Sequence, residues 1–128
     1  RRSSLSLWLL QARRADGAVW LQKRPATGIW AGLYSLPAFD SIDDLLAALR
    51  PAMRESALEQ PAFLHVLTHK DLHLHPVHVN VNLHAGLATA DGPVVPDDAG
   101  NAQGRWVPAS EWPGLGLPAP VRRLLGEG

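Results

Sequence analysis

The chain is 128 residues long, 46% apolar and 19% charged, enough for one ordinary domain with a packed core. Its twelve basic and twelve acidic side chains cancel, which excludes a strongly basic, self-sufficient nucleic-acid binder, since phosphate contacts call for a basic excess. It holds no cysteine, which excludes disulfides, thiolate zinc sites and iron–sulfur ligation by this chain, and no apolar run long enough to cross a membrane as a helix.

The chain begins Arg1-Arg2-Ser3-Ser4 without Met, which reads as a cut inside a longer protein or a processed end. No secretory leader pattern opens it, and a reducing cytoplasm is the expected compartment. Residues 5–11 read as a strand, with Leu5, Leu7 and Leu9 alternating. Asp16-Gly17 signals a hairpin, and 18–23 is the return strand. Residues 25–32 form a loop punctuated by Pro25, Gly28 and Gly32, and 33–36 is a short strand stopped by Pro37. Ser41 caps a helix with Asp43 and Asp44 in its first turn and Ile42, Leu45, Leu46 and Leu49 at helical spacing. Pro51 interrupts it, and a second short helix is expected through Leu58, ended by Pro61.

Residues 62–69 and 72–84 are expected as strands. The second is irregular: Leu72 and Leu74 fall on even positions, while Val77, Val79, Val81 and Leu83 fall on odd ones. A regular strand cannot place both sets on one face, so a bulge near His75-Pro76 is expected. Residues 86–103 are a loop, 104–107 a short strand, 108–112 one helical turn, and 118–125 a final helix with Arg122-Arg123 near its negative end. Mixed strands and helices without strict alternation indicate an α+β class and a single domain over 1–128.

The stretch 22–37, QKRPATGIWAGLYSLP, is specific. It resembles the Nudix fold, with its mixed β-sheet sandwiched by helices. Within that fold it is most similar to the C-terminal domain of the MutY family of adenine DNA glycosylases. Lys23-Arg24-Pro25, Gly28-Ile29-Trp30 and Gly32-Leu33-Tyr34 match that family's K/R-R-P-x-x-G-I-W-x-G-L-W/Y pattern. His65, Thr68, His69, Leu72, Leu74 and Pro76 match its central segment. Trp106-Val107-Pro108 and the run from Pro113 to Arg122 match its end.

The resemblance implies a DNA base-excision repair role, with this domain contacting the 8-oxoguanine strand of an 8-oxoguanine:adenine pair in double-stranded DNA. It implies a helical N-terminal catalytic domain outside this chain, carrying the catalytic Glu and Asp and a four-cysteine [4Fe-4S] cluster. That domain would flip the mispaired adenine and hydrolyse its glycosidic bond. This chain then carries no catalytic residue, cofactor or metal of its own.

Two other functions sit beside this one. A Nudix pyrophosphatase needs a helix bearing R-E-U-x-E-E to hold Mg²⁺ against a diphosphate. The chain offers Arg54-Glu55-Ser56-Ala57-Leu58-Glu59-Gln60, in which Leu58 replaces the middle carboxylate. Glu55 and Glu59 read as a solvated helix face. A protein-interaction module would be expected to use the loop 86–103.

The stretch 67–78, LTHKDLHLHPVH, contains four of the six histidines. His73 and His75 would share one strand face, and His65 and His69 another. Asp71 is the nearby carboxylate, the spacing matches no zinc pattern, and the histidines read as scattered on polar faces. Thr68 and His69 would point to opposite faces of a regular strand, which argues against a nucleophile–base pair. The resemblance instead assigns Leu67, Thr68 and His69 to the triplet that approaches the lesion. Leu67 would wedge at a base step, the Thr68 hydroxyl would bond a base edge, and His69 would bond the lesion or a phosphate. Lys70 would contact a phosphate. Trp8, Trp20, Trp30, Tyr34 and Trp106 are expected to pack the sheet and the 25–32 loop.

Overall fold

The computed structural model describes residues 2–81 and 104–127. The expected loop 86–103 and the end of the strand 72–84 lie outside the described residues. Among the described residues, eight strands form one mixed sheet: β1 (Ser3–Arg14), β2 (Val19–Lys23), β3 (Tyr34–Ser35), β4 (Ala38–Phe39), β5 (Leu58–Glu59), β6 (Phe63–Val66), β7 (Lys70–Val81) and β8 (Gly104–Val107). Helices α1 (Ile42–Ala47), α2 (Pro51–Arg54) and α3 (Ala119–Glu127) cover it, and a 3₁₀ segment spans Ala109–Gly114. The α+β expectation of a mixed sheet between helices holds.

The sheet is organised by β1 and β7, which run parallel in unbroken register from Ser3↔Lys70 to Arg14↔Val81. The hairpin at Asp16-Gly17 forms as expected. Gly17 sits at φ +91°, a conformation that costs glycine least, and Asp16 Oδ1 accepts from the Ala18 amide at 3.0 Å. β2 meets β1 only at Arg13↔Val19. Further down, β4 takes that edge of β1, pairing at Trp8↔Phe39 and Leu9↔Ala38.

No bulge breaks β7 against β1. The even and odd apolar sets lie on opposite faces, and both faces are covered. Leu72 and Leu74 join Leu7, Leu9, Val19 and Leu21 in the core beneath Val121 and Leu125 of α3. Val77, Val79 and Val81 join Leu10, Ala12 and Trp20 in a second core beneath Leu45, Leu49 and Met53. β1 switches face in step, at Leu9-Leu10. The parity change therefore marks where one helical layer hands over to the other along a straight strand pair. The irregularity falls on the neighbouring strand. Glu59 pairs Val77 while Phe63 pairs Leu74, so residues 60–62 oppose only 75–76. The Gln60 amide donates to the Pro76 carbonyl at 2.9 Å.

Three boundaries differ from expectation. α2 ends at Arg54, and Leu58 lies in β5 rather than in a helix. β6 ends at Val66, so residues 67–69 form a turn. α3 extends to Glu127, which leaves Arg122 and Arg123 inside the helix and not in its last turn. Arg122 instead reaches back, donating to the Leu115 carbonyl at 2.8 Å, and Arg123 stacks over Phe63.

Candidate nucleic-acid interface

Residues Leu67-Thr68-His69-Lys70 link β6 to β7 at the end of the sheet where β1 begins. The Leu67 amide donates to the Lys70 carbonyl at 2.8 Å, closing the turn. Four carbonyls project from it, and each accepts a hydrogen bond from the chain's start. The Arg2 guanidinium donates to Leu67 O at 2.7 Å, to Thr68 O at 3.0 Å and to Lys70 O at 3.4 Å. The Ser3 amide donates to His69 O at 3.3 Å. Arg2 is itself oriented by Asp71, whose Oδ1 accepts from Nη2 at 2.7 Å and from Nε at 3.1 Å. An arginine fork has five donors in fixed geometry, which is why one side chain can hold three carbonyls and a carboxylate together.

With the turn's backbone tied down, its side chains separate into two kinds. Leu67 is half-buried and packs against the core beneath α3, as Leu5, Ile29, Trp30 and Leu115 do. Thr68 and His69 are exposed, and neither side chain bonds another group among the described residues. Lys70 is half-buried at the start of β7. The turn thus presents a hydroxyl and an imidazole on a fixed base.

The 24–33 loop closes on itself beside the same core. Gly32 donates to the Pro25 carbonyl at 2.9 Å, Leu33 donates to the Trp30 carbonyl at 3.1 Å, and the Tyr34 amide donates to Gly116 O at 2.9 Å. Gly28 and Gly32 have positive φ, and Trp30 takes φ +55°, a left-handed conformation that costs a non-glycine residue about 1 kcal/mol or more. Burial of Ile29 and Trp30 against the core offsets that cost. Tyr34 packs there too, whereas Trp20 and Trp106 meet edge to face, 5.4 Å apart, over the opposite face.

The remaining histidines do not converge. His65 alternates with exposed Leu64 and Val66 and faces α3. His73 is exposed on the other face, and His75 stacks flat on Trp8 with ring centroids 4.2 Å apart. His69 lies in the turn, not beside His65 on a strand. Among the described residues, no group of three or more His, Cys, Asp or Glu side chains is placed to hold a metal ion.

The segment aligned with the pyrophosphatase helix fits Mg²⁺ poorly. Arg54 is the last residue of α2, and its Nε donates to Leu46 O at 2.8 Å and Leu49 O at 3.1 Å, satisfying the open end of α1. Glu55 caps α2, while Glu59 pairs with Val77 on β5. The two carboxylates sit on different elements, so no helical face gathers them around a hard cation.

Sequence reasoning missed Arg2 and the clamping role of Asp71. The signal was present in Arg1-Arg2 and in Asp71 beside the turn, but it depended on the parallel pairing of β1 with β7. Strands nearly seventy positions apart do not announce that pairing.

A protein-family model described as NUDIX domain matches residues 8–127. Among solved structures, the chain is similar to the C-terminal domain of mouse MUTYH, solved in complex with human PCNA, at 14% identity and TM-score 0.64, covering 95% of this chain and 86% of that one. It is similar to a MutT protein from Methanosarcina mazei at 16% identity and TM-score 0.62, covering 99% and 94%. It is also similar to the NUDIX domain of Shewanella oneidensis NrtR, solved with ADP ribose, at 12% identity and TM-score 0.65, covering 99% and 87%. At these identities the structural likeness concerns the fold. No helix among the described residues is long and apolar enough to cross a membrane. With a family match over nearly its whole length and the mixed sheet to go with it, this chain belongs to the Nudix family.

Proposed function

We propose that this domain reads the lesion strand for an adenine DNA glycosylase that removes adenine mispaired with 8-oxoguanine. The observation that carries this reading is the turn 67–70. All four of its carbonyls are occupied by Arg2 and Ser3, and the exposed Thr68 and His69 side chains are left to meet a ligand. Thr68 offers a hydroxyl to a base edge, and His69 offers an imidazole to the lesion or a phosphate. Lys70 supplies a cation for the backbone. Leu67 packs on the core, which supports an anchoring role for it beneath the two contacting residues.

The separation of Glu55 from Glu59 supports recognition over metal-dependent hydrolysis by this domain. Adenine excision then belongs to an N-terminal catalytic domain with its [4Fe-4S] cluster, acting in the cytoplasm. That domain also supplies most of the electrostatic attraction to DNA, because this one has no net charge.

The test is a titration of the isotopically labelled chain with matched duplexes containing 8-oxoguanine:adenine or guanine:adenine. Amide shifts centred on Thr68, His69 and Lys70, larger for the lesion duplex, are expected. Shifts that avoid this turn, or that are the same for both duplexes, would overturn the reading.

A further inference from the structure

The face of the sheet beneath α3 is covered along only part of its length. Past Leu9 and Leu74 the same face continues as Gln11, Arg13, His78 and Asn80, which line a pit of about 110 Å³ at the far end of the sheet from the 67–70 turn. Gln11 is only 2% exposed, yet its Oε1 has no hydrogen-bond partner among the described residues. Arg13 Nη2 is likewise buried and without one. An orphaned buried acceptor costs about 1–3 kcal/mol, and an orphaned cationic donor costs more. Native interiors satisfy nearly all such groups, so two neighbouring exceptions need a reason.

The pit is not isolated. His78 also lines a cleft of about 360 Å³ walled by Pro61, Phe63, Pro76 and Leu124, together with Gln60 and with Arg123, whose guanidinium lies over the Phe63 ring. The two spaces share His78 in their linings and set a largely apolar region beside a polar one, the usual composition of a small-molecule site. Burial, and next the Arg13 charge, hold His78 below the ordinary histidine range. At neutral pH the polar end thus carries one positive charge, that of Arg13, with a neutral donor–acceptor ring beside it.

We propose that this cleft binds a small aromatic 2-hydroxy acid, with its carboxylate on Arg13, its hydroxyl donating to Gln11 Oε1, and its ring between Phe63, Pro61 and Leu124. Arg13, the one cation of the pit, matches one carboxylate, while Arg123 of the cleft lies over the Phe63 ring. A carboxylate alone would leave Gln11 Oε1 facing another acceptor, whereas a hydroxyl beside the acid group donates to it. The apolar walls select a body beyond the acid group. This site is separate from the 67–70 turn and does not depend on the DNA reading.

Calorimetric titration of the chain with 3-phenyllactate, lactate and 3-phenylpropionate tests it. Phenyllactate is expected to bind saturably. Lactate lacks the ring and phenylpropionate lacks the donor, and each should bind roughly tenfold more weakly, as expected for losing one good contact. Arg13→Gln should weaken phenyllactate binding at least about tenfold, the loss expected for a charge-assisted hydrogen bond. On the unsubstituted chain, nuclear Overhauser contacts from the ligand ring to Phe63 and Leu124, with a shift of the Gln11 side-chain amide, read the same pose without a variant. Equal binding of all three acids, indifference to Arg13→Gln, contacts elsewhere on the surface, or no saturable binding at all would each overturn the proposal.

Discussion

The turn 67–70 and the segment 54–60 face the same physical problem with opposite results. Each holds polar residues beside an arginine at the end of a secondary-structure element. In the turn, Arg2 comes from just ahead of β1, far away in sequence, occupies the carbonyls and leaves Thr68 and His69 exposed. In 54–60 the arginine is local, is consumed in closing α1, and is followed by a chain that leaves the helix at once. One region is built to present side chains. The other lacks the helical frame on which a metal-binding set of carboxylates would have to stand. A fold shared with hydrolases thus says little about chemistry until the elements carrying each residue are known.

Both regions hang on β7, which starts at the turn and pairs with β5 further along. Leu74→Ala removes a fully buried side chain between them and should cost about 2–5 kcal/mol in urea denaturation, lowering both alike. A loss below about 1 kcal/mol would mean the strand is not the shared support. Arg54→Ala separates the two regions. It should cost about 1 kcal/mol by freeing the carbonyls of Leu46 and Leu49, with no change in duplex-induced shifts at Thr68 and His69.

A smaller effect follows from His78. Its depressed proton affinity means that the unfolded chain takes up a proton as pH falls through about 6.5, while the folded chain does not until the pH is lower. Stability is therefore complete above that ordinary value, declines as pH falls below it, and levels off once the folded-state value is passed. His78→Gln should flatten this slope in urea midpoints measured across the interval, and an unchanged slope would place its origin elsewhere. The smallest expected effect is from Leu58→Glu, which restores the missing carboxylate in sequence. Leu58 is 63% exposed on β5, so stability should move by no more than roughly 0.5 kcal/mol. Because that position is not on a helix, Mg²⁺-dependent release of phosphate or pyrophosphate from nucleoside triphosphates should not appear. Its appearance would erase the contrast between the two regions.

Local signals carried much of the architecture. Ser41 caps α1 through the Asp44 amide at 3.0 Å, Gly17 turns the hairpin, and the alternation of Leu5, Leu7 and Leu9 locates β1. The family pattern in 22–37 indicated the fold. The parity change in β7 is visible in the sequence, but one strand alone does not reveal that both sheet faces are covered at different heights, which is why it points to a bulge. The sequence places a second short helix after Pro51 and through Leu58, with Pro61 ending the segment. Pairing of Leu58 with His78 overrides that local preference. In the candidate site, Leu67 through Lys70 were legible as a group, whereas the Arg2 clamp came only from long-range parallel pairing.

The central claim is that Thr68 and His69 read the lesion. Its most direct test is the ratio of adenine release from 8-oxoguanine:adenine and guanine:adenine duplexes by the full-length protein, with and without Thr68→Ala and His69→Ala together. The account predicts that the substituted protein keeps its fold and its rate on guanine:adenine, while its preference for the lesion falls roughly tenfold or more, the worth of losing specific base contacts. An unchanged preference, or a full-length protein that releases no adenine at all, would contradict it.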